Sequence, residues 1–269
     1  MNPHNYYPLI AVSILILWTL AIVGFVPAIA ARRKNLGTVT LVLGLLVFIG
    51  FAAWLWVSLG RPPLRTQWET RMWFSLLLGA AALLLQWRWR SALQVIPSLL
   101  LAMVFTILNL AMPESLDKTQ MPALNSPWFV PHVMVYILSY ALFGMAALVA
   151  LWGLLKLWVG DKPIEATLVI EARRLVYIAF PLLTVGLLLG AVWAKIAWGT
   201  YWGWDPKETG AFVTWAVYLT YLHLEHSTKL SSRTHLILLA VGFIVVLGTW
   251  FGINYLPSAA TSAHTYSMK

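Results

Sequence analysis

Residues 198–209 read WGTYWGWDPKET. Three tryptophans and a tyrosine fall within seven residues, and the charged run Asp205-Pro206-Lys207-Glu208 follows. On either side the chain turns apolar, near 175–197 before it and 209–226 after it. Each flank comes close to the roughly 20 apolar residues that a bilayer crossing needs. The stretch therefore reads as a loop between two membrane spans, and that reading sets the fold class for the rest of the chain.

The composition agrees. Of 269 residues, 61% are hydrophobic and only 10% are charged, and the mean hydropathy is +0.79. Water-soluble domains carry about 25% charged residues, so this chain lacks the polar surface to face water throughout. Cysteine is absent, which excludes a disulfide, a thiolate metal site or a cysteine nucleophile within the chain. The net charge is +9, but no basic face interleaved with aromatic residues marks a nucleic-acid partner.

Eight stretches have the length and character of spans, near 8–31, 38–59, 71–87, 91–112, 131–158, 175–197, 209–226 and 235–256. The expected fold class is an all-α integral membrane protein of about eight transmembrane helices. The first apolar run follows MNPHNYY, which has no basic n-region, so it reads as a first helix and not as a cleaved signal. With the N-terminus outside, the inner loops take Arg32, Arg33, Lys34, Arg88, Arg90, Lys156, Lys162, Arg173, Arg174, Lys229 and Arg233, eleven of the eighteen basic residues. That excess favours both termini outside. Arg61, Arg65 and Arg71, in GRPPLRTQWETR, fall on the outer side with the tryptophan loop, the 113–130 loop and the C-terminal tail. These arginines either meet an acidic ligand or anchor the outer surface.

The tryptophan loop has two readings. Tryptophan and tyrosine gather at membrane interfaces, and such a belt accounts for Trp193, Trp198, Tyr201 and Trp202. Asp205 can cap the next helix, with Pro206 at its first position and Glu208 completing a capping box. The second reading starts from density. Trp198, Trp202 and Trp204, with Gly199 and Gly203 between them, build an aromatic shelf suited to a flat apolar ligand. A helix N-terminus, Lys195 and Lys207 stand ready for carboxylates on that ligand. A planar macrocycle with acidic arms answers to haem.

WGTYWGWDPKET resembles the tryptophan-rich signature of the cytochrome c assembly family, in the form found in its CcsA (ResC) branch. The resemblance extends through PWFVPHVMVYILSYALF, AFVTWAVYLTYLH and GINYLPSAATSAHTY, roughly the last 145 residues. It implies a domain plan of one polytopic domain over 1–269, with two N-terminal helices in 1–60 and a haem-handling core in 66–266 around the loop at 193–209. The family often has a further tryptophan where this chain has Gly210.

Of the six histidines, His132 falls at the outer start of the fifth span and His264 in the outer tail. Either could be a packing or helix-end residue, or the two could grip haem iron from opposite faces. The resemblance implies the latter, since its external axial pair matches His132 and His264. His223 lies about 21 Å into the seventh span at 1.5 Å per residue, and an ionisable group at that depth is a functional candidate. The resemblance implies a transmembrane haem ligand there, with its second ligand supplied by another chain. His226 reads as a polar cap on the last turn, and His4 and His235 as solvated.

The family also implies the wider setting. Haem b, held non-covalently by His132, His264 and His223 against Trp198, Trp202, Trp204 and Asp205, is presented for thioether attachment to the Cys-x-x-Cys-His segment of an apocytochrome c. The partner is CcsB (ResB), and the chain is then one subunit of a system II haem lyase, with no catalytic residue assigned to it. The membrane is a bacterial cytoplasmic membrane, with the site facing outward, or a thylakoid. Two alternatives stand beside this. One is a HemX-like paralogue that regulates haem synthesis or supports another haem protein. The other is an unrelated transporter whose tryptophans form a belt.

Overall fold

The computed structural model describes residues 6–89, 92–113, 126–160 and 166–257. The described residues form eight α-helices and a short 3-10 turn: α1 (Tyr7–Phe25), α2 (Pro27–Leu59), α3 (Gln67–Trp89), α4 (Ala92–Ala111), α5 (Phe129–Val159), α6 (Ala166–Trp198), α7 (Pro206–Ser227), α8 (Ser232–Trp250) and Gly252–Tyr255. Five are long and apolar enough to cross a membrane: α1, α2 over Asn35–Leu59, α5, α6 and α8. The chain is a helical, multi-pass membrane protein, as its apolar runs lead one to expect.

Contacts divide the chain into two compact units, Met1–Lys118 and Thr119–Lys269. The first holds α1 to α4. Tyr7, Phe51 and Trp68 cluster in its interior, with the Tyr7 and Trp68 rings 4.6 Å apart. Trp68 Nε1 donates to the Asn109 carbonyl at 3.1 Å while Asn109 Nδ2 donates to the Trp68 carbonyl at 2.9 Å. This reciprocal pair ties α3 to α4.

Several helix ends depart from the expected spans, each for a local reason. The first span stops at Phe25, six residues early, because Val26 precedes Pro27 and is driven to an extended conformation (φ −58°, ψ 127°). Pro27 then opens α2, so Arg32, Arg33 and Lys34 lie in helix and not in a loop. The third span starts at Gln67 because Thr66 and Glu69 form a capping box. Glu69 N donates to Thr66 Oγ1 at 3.1 Å, and Thr66 N donates to Glu69 Oε2 at 3.1 Å. Glu69 is fully buried and receives both guanidinium nitrogens of Arg61, at 2.8 and 3.1 Å. Arg71 is buried as well and donates to the Gln67 carbonyl and Met112 Sδ. Arg61 and Arg71 thus serve as internal struts of the first unit.

In the second unit α5 packs most extensively on α6. Ser139 Oγ on α5 donates to the Ala179 carbonyl on α6 at 2.8 Å. Residues 166–174, expected as a loop, are helical. Their charge is absorbed by partners: Arg173 pairs with Glu225 of α7 at 2.7 Å, and Glu225 also accepts from Tyr177 Oη at 2.6 Å. The last helix ends at Trp250 and not near 256, giving way to the 3-10 turn at Gly252. Consecutive helices of this unit run antiparallel, as do α5 and α8. One of its ends therefore collects the start of α5, the end of α6, the start of α7 and the end of α8.

Candidate functional site

That end carries the tryptophan loop. Gly199 terminates α6 with φ +83°, a left-handed conformation open to glycine, and its carbonyl accepts from Lys195 Nζ at 2.7 Å. The same ammonium lies 5.5 Å from the centroid of the Tyr201 ring. Lys195 thereby closes the helix end. At the other side of the loop Asp205 caps α7 as its sequence suggests. Lys207 N donates to Asp205 Oδ1 at 2.9 Å, and Glu208 Oε2 accepts from Asp205 N at 3.2 Å and Gly203 N at 2.7 Å. One carboxylate thus fixes both the helix start and the turn before it.

Between these anchors Trp204 holds φ +57°, the only left-handed non-glycine among the described residues. A side chain in that region costs roughly 1–2 kcal/mol, and the conformation leaves Trp204 66% exposed. Trp202 meets Trp204 edge to face at 5.8 Å. Its Nε1 is buried and has no acceptor among the described residues, which marks it as a donor that calls for a partner. Trp204 also meets Phe212, which stacks on Trp215.

A second aromatic group surrounds His132, in the first turn of α5. Its ring lies nearly parallel to Trp193, 5.7 Å away at 21°. Trp193 meets Trp198 edge to face at 4.7 Å and Phe129 at 5.3 Å. His132 Nδ1 lies 2.8 Å from the Gly186 carbonyl of α6. A carbonyl only accepts, so Nδ1 carries a proton, and in the neutral imidazole the lone pair is then on Nε2. The structure thus joins His132 to Trp193 and Trp198, and Trp202 to Trp204. Trp193, expected as a belt residue, is only 3% exposed and forms the wall behind His132. Its role was hidden in the sequence because the contact spans sixty residues.

His264 lies outside the described residues. His223 is exposed, about 25 Å along α7 from Pro206 at 1.5 Å per residue. It sits nearly opposite Tyr221 and Glu225, which face their own bundle. His235, read as solvated, is buried, with Nδ1 3.3 Å from Tyr221 Oη. It is a packing histidine, paired across α7 and α8. Gly210 marks a close approach, where a Cβ would collide with Ile253 and come within 3.1 Å of Thr249. The Gly210 carbonyl accepts from Thr214 Oγ1 and Thr249 Oγ1, both at 2.9 Å. A tryptophan has no room there. Lys207 reaches the Trp250 carbonyl at 3.4 Å, and burial lowers its pKa to about 8 against the opposing pull of Asp205.

The fold and this end of the second unit define a class: a polytopic helical membrane protein with an oriented histidine and a tryptophan loop gathered at one end of a bundle. A family model described as cytochrome C assembly protein matches residues 6–260. The chain belongs to the CcsA cytochrome c assembly family. It is 31% identical to the cytochrome c biogenesis protein CcsA of Guillardia theta, covering 75% of this chain and 76% of that one. It is 30% identical to the CcsA of Prochlorococcus marinus subsp. pastoris, covering 97% and 93%, and 33% identical to that of Chlamydomonas reinhardtii, covering 84% and 66%. Among solved structures, the cytochrome c heme lyase CcmF superposes with a TM-score of 0.69 at 17% identity. The match covers 93% of this chain and 47% of CcmF, so the chain spans about half the length of that protein.

Proposed function

We propose that this chain is the haem-binding and haem-delivery membrane subunit of a system II cytochrome c synthase. It works beside a CcsB (ResB) partner and presents haem at the tryptophan-loop end for thioether attachment to apocytochrome c. The observation that carries the reading is His132. Its Nδ1–H is tied to a backbone carbonyl, which in the neutral imidazole puts the lone pair on Nε2, the arrangement typical of a metal-bound histidine. The orphaned Trp202 Nε1 fits a haem propionate, and the exposed Trp204 face fits a porphyrin plane.

When bound, haem supplies the vinyl groups to which the apocytochrome thiols add. The protein's own residues bind and orient. His132 and His264 would hold the haem iron, Trp198, Trp202 and Trp204 would supply apolar contact, and Asp205 holds the loop in shape by capping α7. His223, facing away from its own bundle, would hold haem at the opposite side of the membrane, together with a residue of the partner. The outer face of the cytoplasmic membrane, or the lumenal face of a thylakoid, is where the loop then works.

The test is the absorption spectrum of the purified protein, expressed with and without CcsB, against His132→Ala and His264→Ala. A six-coordinate low-spin haem, lost or altered in both variants, is expected. Absence of haem under either condition would overturn the proposal in favour of a paralogue or transporter role.

A further inference from the structure

We propose that Gly190 and Gly186, together with Trp193, are positioning residues for His132, forming a slot in α6 that fixes the imidazole's plane and tautomer. The inference rests on the reading of His132 as an iron ligand and adds what holds it. The α6 sequence GLLLG spaces two glycines four apart, and the α5 sequence HVMVY spaces His132 and Tyr136 by the same four. In an α-helix that spacing puts both members on one face. The helices run antiparallel, so His132 meets Gly190 and Tyr136 meets Gly186.

The fit leaves no room for a side chain. A Cβ on Gly190 would lie 2.7 Å from His132 Cε1 and 2.9 Å from Nδ1. One on Gly186 would collide with the Tyr136 ring. Small residues four apart let membrane helices approach closely. Here the closeness brings the Gly186 carbonyl within 2.8 Å of Nδ1. Three residues past Gly190, Trp193 lies parallel to the ring and sets its plane.

Two measurements on the full-length protein in detergent test the slot. The first uses the wild type without haem, labelled with ¹⁵N-histidine, with His132 assigned by its loss in His132→Gln. The Nδ1–H tautomer is expected, and the Nε2–H tautomer overturns the proposal without any variant having to fold. The second uses Gly190→Ala, with Gly248→Ala as a control because a Cβ there meets nothing within 4 Å. Gly190→Ala is expected to change the His132 tautomer and weaken haem binding about 10–100-fold, the usual effect of disturbing a ligand's supporting bond. The control should leave both unchanged. If His132→Ala loses haem while Gly190→Ala binds normally with its tautomer intact, the slot falls and the ligand reading survives. If His132→Ala keeps its haem, the ligand reading falls, and the proposal with it.

Discussion

Lys207 shows how a single residue at the loop carries a measurable cost. Its ammonium is held in a largely buried position, and burial lowers its pKa to about 8 from an ordinary value of 10.5. The charged form is disfavoured in the folded chain, so the unfolded chain binds more protons between those two values. Stability then rises with pH across that window. Below pH 8 the full cost is present, up to about 3 kcal/mol. Replacing the residue by methionine keeps the volume and removes the charge, at the loss of one hydrogen bond to the Trp250 carbonyl worth about 1 kcal/mol. Lys207→Met is expected to raise the unfolding midpoint in detergent at pH 7, with the gain shrinking toward pH 10.5. A stability difference that stays flat from pH 7 to 10.5 would remove the account of a buried ammonium.

At the scale of elements, the helix starts divide into those written locally and those that are not. The capping box at Asp205 is legible in DPKE itself, because all its partners lie within three residues. Its consequence is testable in two steps. Asp205→Ala should cost about 1 kcal/mol of stability and loosen the loop, whereas Asp205→Asn should retain the cap. If haem occupancy, measured by the low-spin spectrum, survives Asp205→Asn and drops in Asp205→Ala, Asp205 acts by shaping α7. If both lose haem equally, its charge acts on the ligand itself. The box at Thr66 and Glu69 is equally local, but the apolar run begins only at residue 71, so hydropathy alone puts the start of α3 late. The helical extension over 166–174 could not be seen in the same way. Its charged residues are satisfied by Glu225 on another helix, and periodicity along one segment carries no sign of that. The same limit hid the α6 slot, since GLLLG looks like any apolar run until α5 lies against it. Gly210 is a further case: its departure from the family pattern has a reason only once Ile253 and Thr249 are in place.

At the scale of the whole molecule, the apolar runs were enough to count the helices, because hydrocarbon admits little else for a spanning backbone. Orientation is a separate matter, argued from where lysine and arginine fall. Arg32, Arg33 and Lys34 lie within α2, and Arg61 and Arg71 are engaged inside the first unit. The bias is then best tested in the second unit, where the ends are clear. The α6–α7 loop and the α7–α8 turn lie at opposite ends of α7. The first is predicted outside and the second inside, with Lys229 and Arg233 beside it. The chain has no cysteine, so single cysteines can be introduced without first clearing a background. Thr200→Cys should react with a membrane-impermeant maleimide in intact cells, and Ser231→Cys only after the membrane is opened. The opposite pattern would place the tryptophan loop on the inner face, where an apocytochrome exported across the membrane cannot reach it. The delivery role would then have to give way even if His132 proved to bind haem.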